Sequence, residues 1–126
     1  MFSHIMIGAN DLERAKTFYD SLLGTLGVRP AFVDDGRRLF YRTKTGVFSV
    51  SKPINGEPAT AANGGTIGFA CESPEQVDAW HATGVAAGGT PCEEPPGVRD
   101  GGVGRMYLAY LRDPDGNKLC ALHRMS

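Results

Sequence analysis

Long apolar runs are missing from this chain. No stretch exceeds a few residues, whereas a membrane-spanning helix needs about 20, so such a helix is not expected. A surplus of either charge is missing too. Thirteen Lys+Arg stand against 14 Asp+Glu, a balance that points to neither nucleic acid nor an acidic partner. Cysteine is scarce: Cys71, Cys92 and Cys120 form an odd, scattered set that builds no disulfide framework and fits a reducing cytoplasm. The opening residues carry no basic segment, and Asp11, Glu13 and Arg14 fall where a secretory signal would be apolar, so a cytoplasmic protein is expected. Turn formers are plentiful instead. Seventeen glycines and eight prolines mark short elements with many turns. A length of 126 residues allows one ordinary core and excludes two independent domains.

Residues 3–9 alternate as a strand, with Ile5 and Ile7 on one face and His4, Met6 and Gly8 on the other. Asn10 or Asp11 then caps a helix whose buried stripe is Leu12, Ala15, Tyr19, Leu22, Leu23 and Leu26, with Gly24 and Gly27 as stop signals. Three strands are predicted next, at 29–33, 38–42 and 47–51, separated by turns at Asp34-Asp35-Gly36 and Thr43–Gly46. Residues 53–65 read as an aperiodic surface connection. A second strand with Ile67, Phe69 and Cys71 on one face follows, then a helix opened by a Ser73/Gln76 capping box with Pro74 at its first position. Val77, Trp80 and Val85 are its expected core residues. Residues 90–93 read as a short strand, 94–104 as irregular, 105–112 as a strand, Asp113–Asn117 as a tight turn and 118–123 as the last strand.

The plan β-α-β-β-β therefore occurs twice, over residues of about 1–55 and 64–126, within a single α+β domain covering 1–126. Glu13 and Glu75, Phe18 and Trp80, and Gly27 and Gly89 all match at the 62-residue offset that separates His4 from Thr66. Two such modules, each with a helix outside, leave the inner faces of two curved sheets to form a cup.

The opening His4-Ile5-Met6-Ile7, Asn10-Asp11-Leu12-Glu13-Arg14-Ala15 and Phe18-Tyr19, with the closing Arg112-Asp113-Pro114-Asp115-Gly116-Asn117-Lys118-Leu119, resembles the glyoxalase, bleomycin-resistance and extradiol-dioxygenase (vicinal oxygen chelate) superfamily. The resemblance covers nearly the whole chain. It implies a doubled βαβββ cup, a homodimer, and, in the metal-dependent members, one metal ligand from the first and one from the last strand of each module. Those ligands are usually His, sometimes Gln, and Glu. The corresponding places here are His4, Ser49, Thr66 and Cys120. Only His4 is a family-type ligand. The other three are neutral hydroxyls and a thiol, and no carboxylate remains to compensate a dication in a buried cup.

The expected function is consequently binding of a small organic molecule in the cup with no metal or other cofactor, His4, Ser49, Thr66, Cys120, Tyr107 and Arg105 being the candidate contacts. The alternatives are a metal-dependent lyase, isomerase or dioxygenase that uses His4 with non-standard ligands, and a metal-free enzyme with His4 as acid or base beside Cys120. Arg99 and Arg105 flank a glycine-rich loop at 97–104 that could close over the cup, and arginine there favours an anionic ligand. His81 is expected on a helix surface, and His123 on the helix-facing side of the last strand.

Overall fold

Short polar side chains set where both helices begin. The computed structural model describes residues 1–125. The carboxylate of Asp11 accepts the Arg14 N–H at 3.0 Å, so helix α1 runs Leu12–Gly24. The Ser73 hydroxyl accepts the Gln76 N–H at 3.1 Å, and α2 runs Pro74–Ala86 with proline in its first turn. Gln76 also accepts the Glu72 N–H through Oε1 and donates through Nε2 to the Thr25 carbonyl, tying the start of α2 to the end of α1.

The first module consists of β1 (His4–Gly8), α1, β2 (Phe32–Asp34), β3 (Arg38–Thr43) and β4 (Gly46–Ser51), in the sheet order β1-β4-β3-β2 with β1 parallel to β4. The second consists of β5 (Ile67–Ala70), α2, β6 (Thr90–Pro91), β7 (Gly97–Gly101), β8 (Gly104–Arg112) and β9 (Lys118–Arg124). Its sheet order is β5-β9-β8-β6, with β5 parallel to β9 and β7 also paired with β8. The architecture is the expected α+β pair of open curved sheets. The predicted irregular stretch 94–104 is corrected, because it holds β7 and a two-residue turn into β8. In effect the second strand of this module is broken in two along β8. The break falls at Glu93, which has a φ of 58°, and at Pro95-Pro96. The strand expected at 29–33 is likewise displaced to Phe32–Asp34, since Pro30 cannot donate and the Ala31 N–H is held by Asp20 of α1.

One core joins the modules. Strand residues of one parity enter it, including Tyr41, Phe48 and Val50 from the first sheet and Ala109, Leu111, Leu119 and Ala121 from the second. They meet Phe18, Tyr19, Leu22, Val77 and Trp80 of the helices. Phe48 and Phe69 make an edge contact across the module boundary at 5.4 Å. Val85, expected in the core, is exposed; Gly84 takes the interior place instead. A Cβ on Gly84 would lie 2.5 Å from a Leu111 methyl and 2.9 Å from a Leu22 methyl, so the missing side chain lets α2 approach both β8 and α1.

The two sequence motifs at the ends of the chain touch. Asp115 Oδ1 accepts from the Asn10 N–H at 2.9 Å, and from Asn10 Nδ2 and the Arg14 guanidinium. Next to it, buried Asp113 organises the turn before β9. Its Oδ1 accepts the Asp115 and Asn117 N–H groups, and its Oδ2 accepts Asn117 Nδ2 and the Tyr19 hydroxyl, the last at 2.5 Å. Burial, then the neighbouring Asp113 carboxylate, hold the Tyr19 phenol well above its ordinary pKa, so it stays a donor.

Candidate functional site

Strand register places the site residues in rows on the sheet faces turned away from the core. In the first sheet Met6, Ser49, Phe40 and Phe32 stand side by side across four strands, and His4, Val47 and Arg42 form the next row. In the second sheet Gly68, Cys120 and Tyr110 form the corresponding row. Ser49 and Cys120 thus occupy equivalent places in the two modules. Thr66 is exposed and lies just before β5, outside the paired register.

The chemistry of each place is modest. His4 is exposed at the start of β1, with its Nδ1 2.8 Å from the Ser3 hydroxyl. Ser49 is fully buried and its hydroxyl has no hydrogen-bond partner among the described residues, an unsatisfied polar atom on this face. Burial pushes the Cys120 thiol up, against a hydrogen bond from Tyr110 that favours the thiolate. That direction disfavours Cys120 as a nucleophile. Burial also raises the Tyr110 phenol. The Lys118 ammonium sits 4.9 Å from the centre of the Tyr110 ring and pairs with Glu93.

Tyr107 and Arg105 belong elsewhere, which corrects their expected place in the cup. They have the opposite parity to Tyr110 on β8, so Tyr107 turns to the helix side and donates to Asp78 of α2 at 2.8 Å. Arg105 is exposed and paired with Asp100 at 3.0 Å within the β7–β8 hairpin. Arg99 is tied to the Glu94 and Pro95 carbonyls. His123 is on the helix side as expected, with Nδ1 3.1 Å from the Cys71 carbonyl oxygen. Met6, Phe32, Phe40 and Tyr110 stand in these rows and are not among the candidate contacts expected from the sequence. Extending the Asp113–Asn117 turn outward pairs Arg112 with Lys118 and therefore Tyr110 with Cys120, a signal that was present in the spacing.

A cavity of about 670 Å³ opens at the end of the first sheet marked by the β3–β4 turn, beneath the end of α1, with lining residues from both sheet faces. Ile5, Tyr41 and Phe48 line it from the strands, Leu23 from α1, and Phe69 from the second module. His4, Val47 and Arg42 also line it, while Ser49, Thr66 and Cys120 do not.

The model of the Glyoxalase/Bleomycin resistance protein/Dioxygenase superfamily matches residues 1–121. The chain belongs to that superfamily. It is similar to a glyoxalase/bleomycin resistance protein from Albidiferax ferrireducens T118, with 65% identity and a TM-score of 0.96 over 98% of this chain and 99% of that one. A lactoylglutathione lyase from Agrobacterium tumefaciens shares 23% identity at a TM-score of 0.67, over 98% and 92% of the two chains. A glyoxalase-related enzyme from Fulvimarina pelagi shares 19% at 0.75, over 98% and 88%. These two likenesses show the fold alone.

Within the superfamily the test for a divalent metal is the donor set. Here one imidazole, two neutral hydroxyls and one thiol occupy the four places. Such a set offers no carboxylate, and only the thiol could bring a negative charge, on deprotonation by the ion itself, so it does not match the His and Glu donors of the metal-dependent members. Among the described residues no three His, Cys, Asp or Glu side chains converge as a ligand cluster.

Proposed function

We propose that this superfamily member binds a small organic molecule on its concave sheet faces, without a resident metal or other cofactor, and does so as a homodimer. The observation that carries the reading is the donor set: each module presents its first-strand and last-strand place, and together they offer His4, Ser49, Thr66 and Cys120 but no carboxylate. What the faces offer instead suits an uncharged or weakly polar ligand. Met6, Phe40 and Phe32 supply apolar surface around the unpartnered Ser49 hydroxyl, and Tyr110 supplies an aromatic ring beside Cys120.

The homodimer is supported by the same surface. Met6 is 45% and Phe32 61% exposed on one face, an apolar cost that a second copy would relieve. Three free thiols support a reducing, cytoplasmic setting. No helix among the described residues is long and apolar enough to cross a membrane, and the balanced charge offers nucleic acid nothing to hold.

A small-molecule screen followed by backbone amide NMR tests the reading. Hits should shift Met6, Phe40, Ser49, Tyr110 and Cys120 together, and sedimentation should give twice the 13.5 kDa chain mass. Hits that leave both rows unmoved, in a monomeric protein, would overturn it.

A further inference from the structure

The cationic side chains of this protein are almost all engaged. Nine of the thirteen Lys and Arg side chains hold a hydrogen bond or ion pair, Arg14 and Lys16 on carboxylates and Arg112 and Arg124 on carbonyls among them. Among the described residues the four without such a partner are Arg29, Arg42, Lys44 and Lys52. Three of these, Arg29, Arg42 and Lys44, line one cavity, the space of about 670 Å³ beneath the end of α1. They come from two separate pieces of chain: Arg29 from the segment after α1, and Arg42 with Lys44 from the end of β3 and the turn that follows it.

The cavity they line is mostly apolar apart from His4, Thr43, Thr45 and Tyr41, and has no Asp or Glu in its lining. Ile5 and Phe48 form one wall, Leu26 and Val28 a second, and Ile67 and Phe69 a third. The Tyr41 hydroxyl, which could have added a polar contact, is spent on Asp20 at 2.8 Å. A volume of this size lies within the range of pockets that enclose small organic molecules, about 300–1,000 Å³. Clustered like charges repel one another, and an anion at their centre relieves that repulsion.

We propose that this cavity binds an amphipathic monocarboxylate: an aliphatic or aryl body seated on Ile5, Leu26, Val28, Phe48 and Phe69, with its carboxylate among Arg29, Arg42 and Lys44. Ser49 and Cys120 do not line it, whereas His4, Val47, Arg42 and Gly68 do, so the cavity adjoins the ends of the sheet-face rows without including their centres. Guanidinium groups favour a planar carboxylate, which they can hold through two parallel N–H donors. All three cations are exposed, so their attraction is screened and binding weakens with added salt.

Titration calorimetry with decanoate, alongside decyltrimethylammonium of the same chain length, tests this on the full chain. Decanoate should bind and the cation should bind at least about tenfold more weakly. The variant R29E/R42E/K44E, checked for fold by circular dichroism, should lose about tenfold or more in decanoate affinity, whereas R29K/R42K/K44R should stay within about threefold of the parent. Amide shifts should centre on Leu26, Val28 and Phe69. Equal binding of the two amphiphiles, unchanged affinity in the charge-reversed variant, or no decanoate binding at millimolar concentration would overturn the proposal. Shifts confined to Met6, Ser49, Tyr110 and Cys120 would also overturn it, while supporting the separate reading of the sheet faces.

Discussion

Replacing Tyr19 by Phe removes one oxygen from the buried carboxylate that sets the turn before β9. The Asp113 carboxylate accepts four hydrogen bonds, two from backbone and two from side chains, and the Tyr19 hydroxyl supplies the shortest at 2.5 Å. Phenylalanine keeps the ring and its contacts with Phe18 at 4.9 Å and Phe48 at 5.0 Å, so no cavity arises. The loss is therefore one hydrogen bond to a charged acceptor, about 1.5–3 kcal/mol. Three remaining donors keep the carboxylate partly satisfied, which places the expected cost near 2 kcal/mol. For a chain of this size that corresponds to a fall of about 8 °C in Tm. Urea unfolding followed by the fluorescence of Trp80, the only tryptophan, measures it. The midpoint should fall at unchanged slope, since the surface exposed on unfolding is the same. A cost below about 0.5 kcal/mol, the size of an ordinary surface substitution, would refute the assignment of Tyr19 and Asp113 as the buried clasp of the turn.

Gly89→Ala should cost about 1–3 kcal/mol, because a Cβ there would lie 2.9 Å from the Gly84 carbonyl oxygen and 3.1 Å from that of Arg112, and neither backbone atom can move aside; the same urea assay reads the loss. At Asp20 burial favours the neutral acid, but hydrogen bonds from Lys16, the Ala31 N–H and Tyr41 outweigh it and depress the pKa. Stability from this group is thus present above the ordinary carboxylate pKa and is lost as pH falls through the lower folded value, so Asp20→Asn should flatten the acid limb of a stability-versus-pH curve. With Ellman's reagent at pH 8, half-exposed Cys92 should react first. Burial pushes the Cys71 thiol to about 11 and raises Cys120, and both are nearly closed to solvent, so rapid reaction of all three would contradict their placement.

What could be read from the sequence followed from strong local chemistry. Asp11 and Ser73 announced both helix starts, and the Asp113–Asn117 turn set the last hairpin. The alternation around Ile5 and Ile7 assigned His4 to the face away from the core, and the repeat located Ser49 and Cys120. The failures have physical causes as well. Strand β7 (Gly97–Gly101) has no apolar alternation because it is held by backbone pairing to β8, with Val98 exposed. Gly84 replaced Val85 in the core because close helix approach needed the absence of a side chain, which a hydrophobic pattern does not display. Tyr107 falls outside the cup because the register that the following turn imposes pairs it with His123, on the helix side. The cavity under α1 draws its cations from two segments, Arg29 after α1 and Arg42 with Lys44 at the β3–β4 turn, and only the folded chain brings them together.

Elemental analysis of protein purified without chelator and passed over a desalting column tests the central claim most directly. With His4, Ser49, Thr66 and Cys120 at the four ligand places, the expected result is far less than one Mn, Fe, Ni or Zn per chain. The content should be unchanged by His4→Ala. A stoichiometric divalent metal that is lost on that substitution would contradict the account.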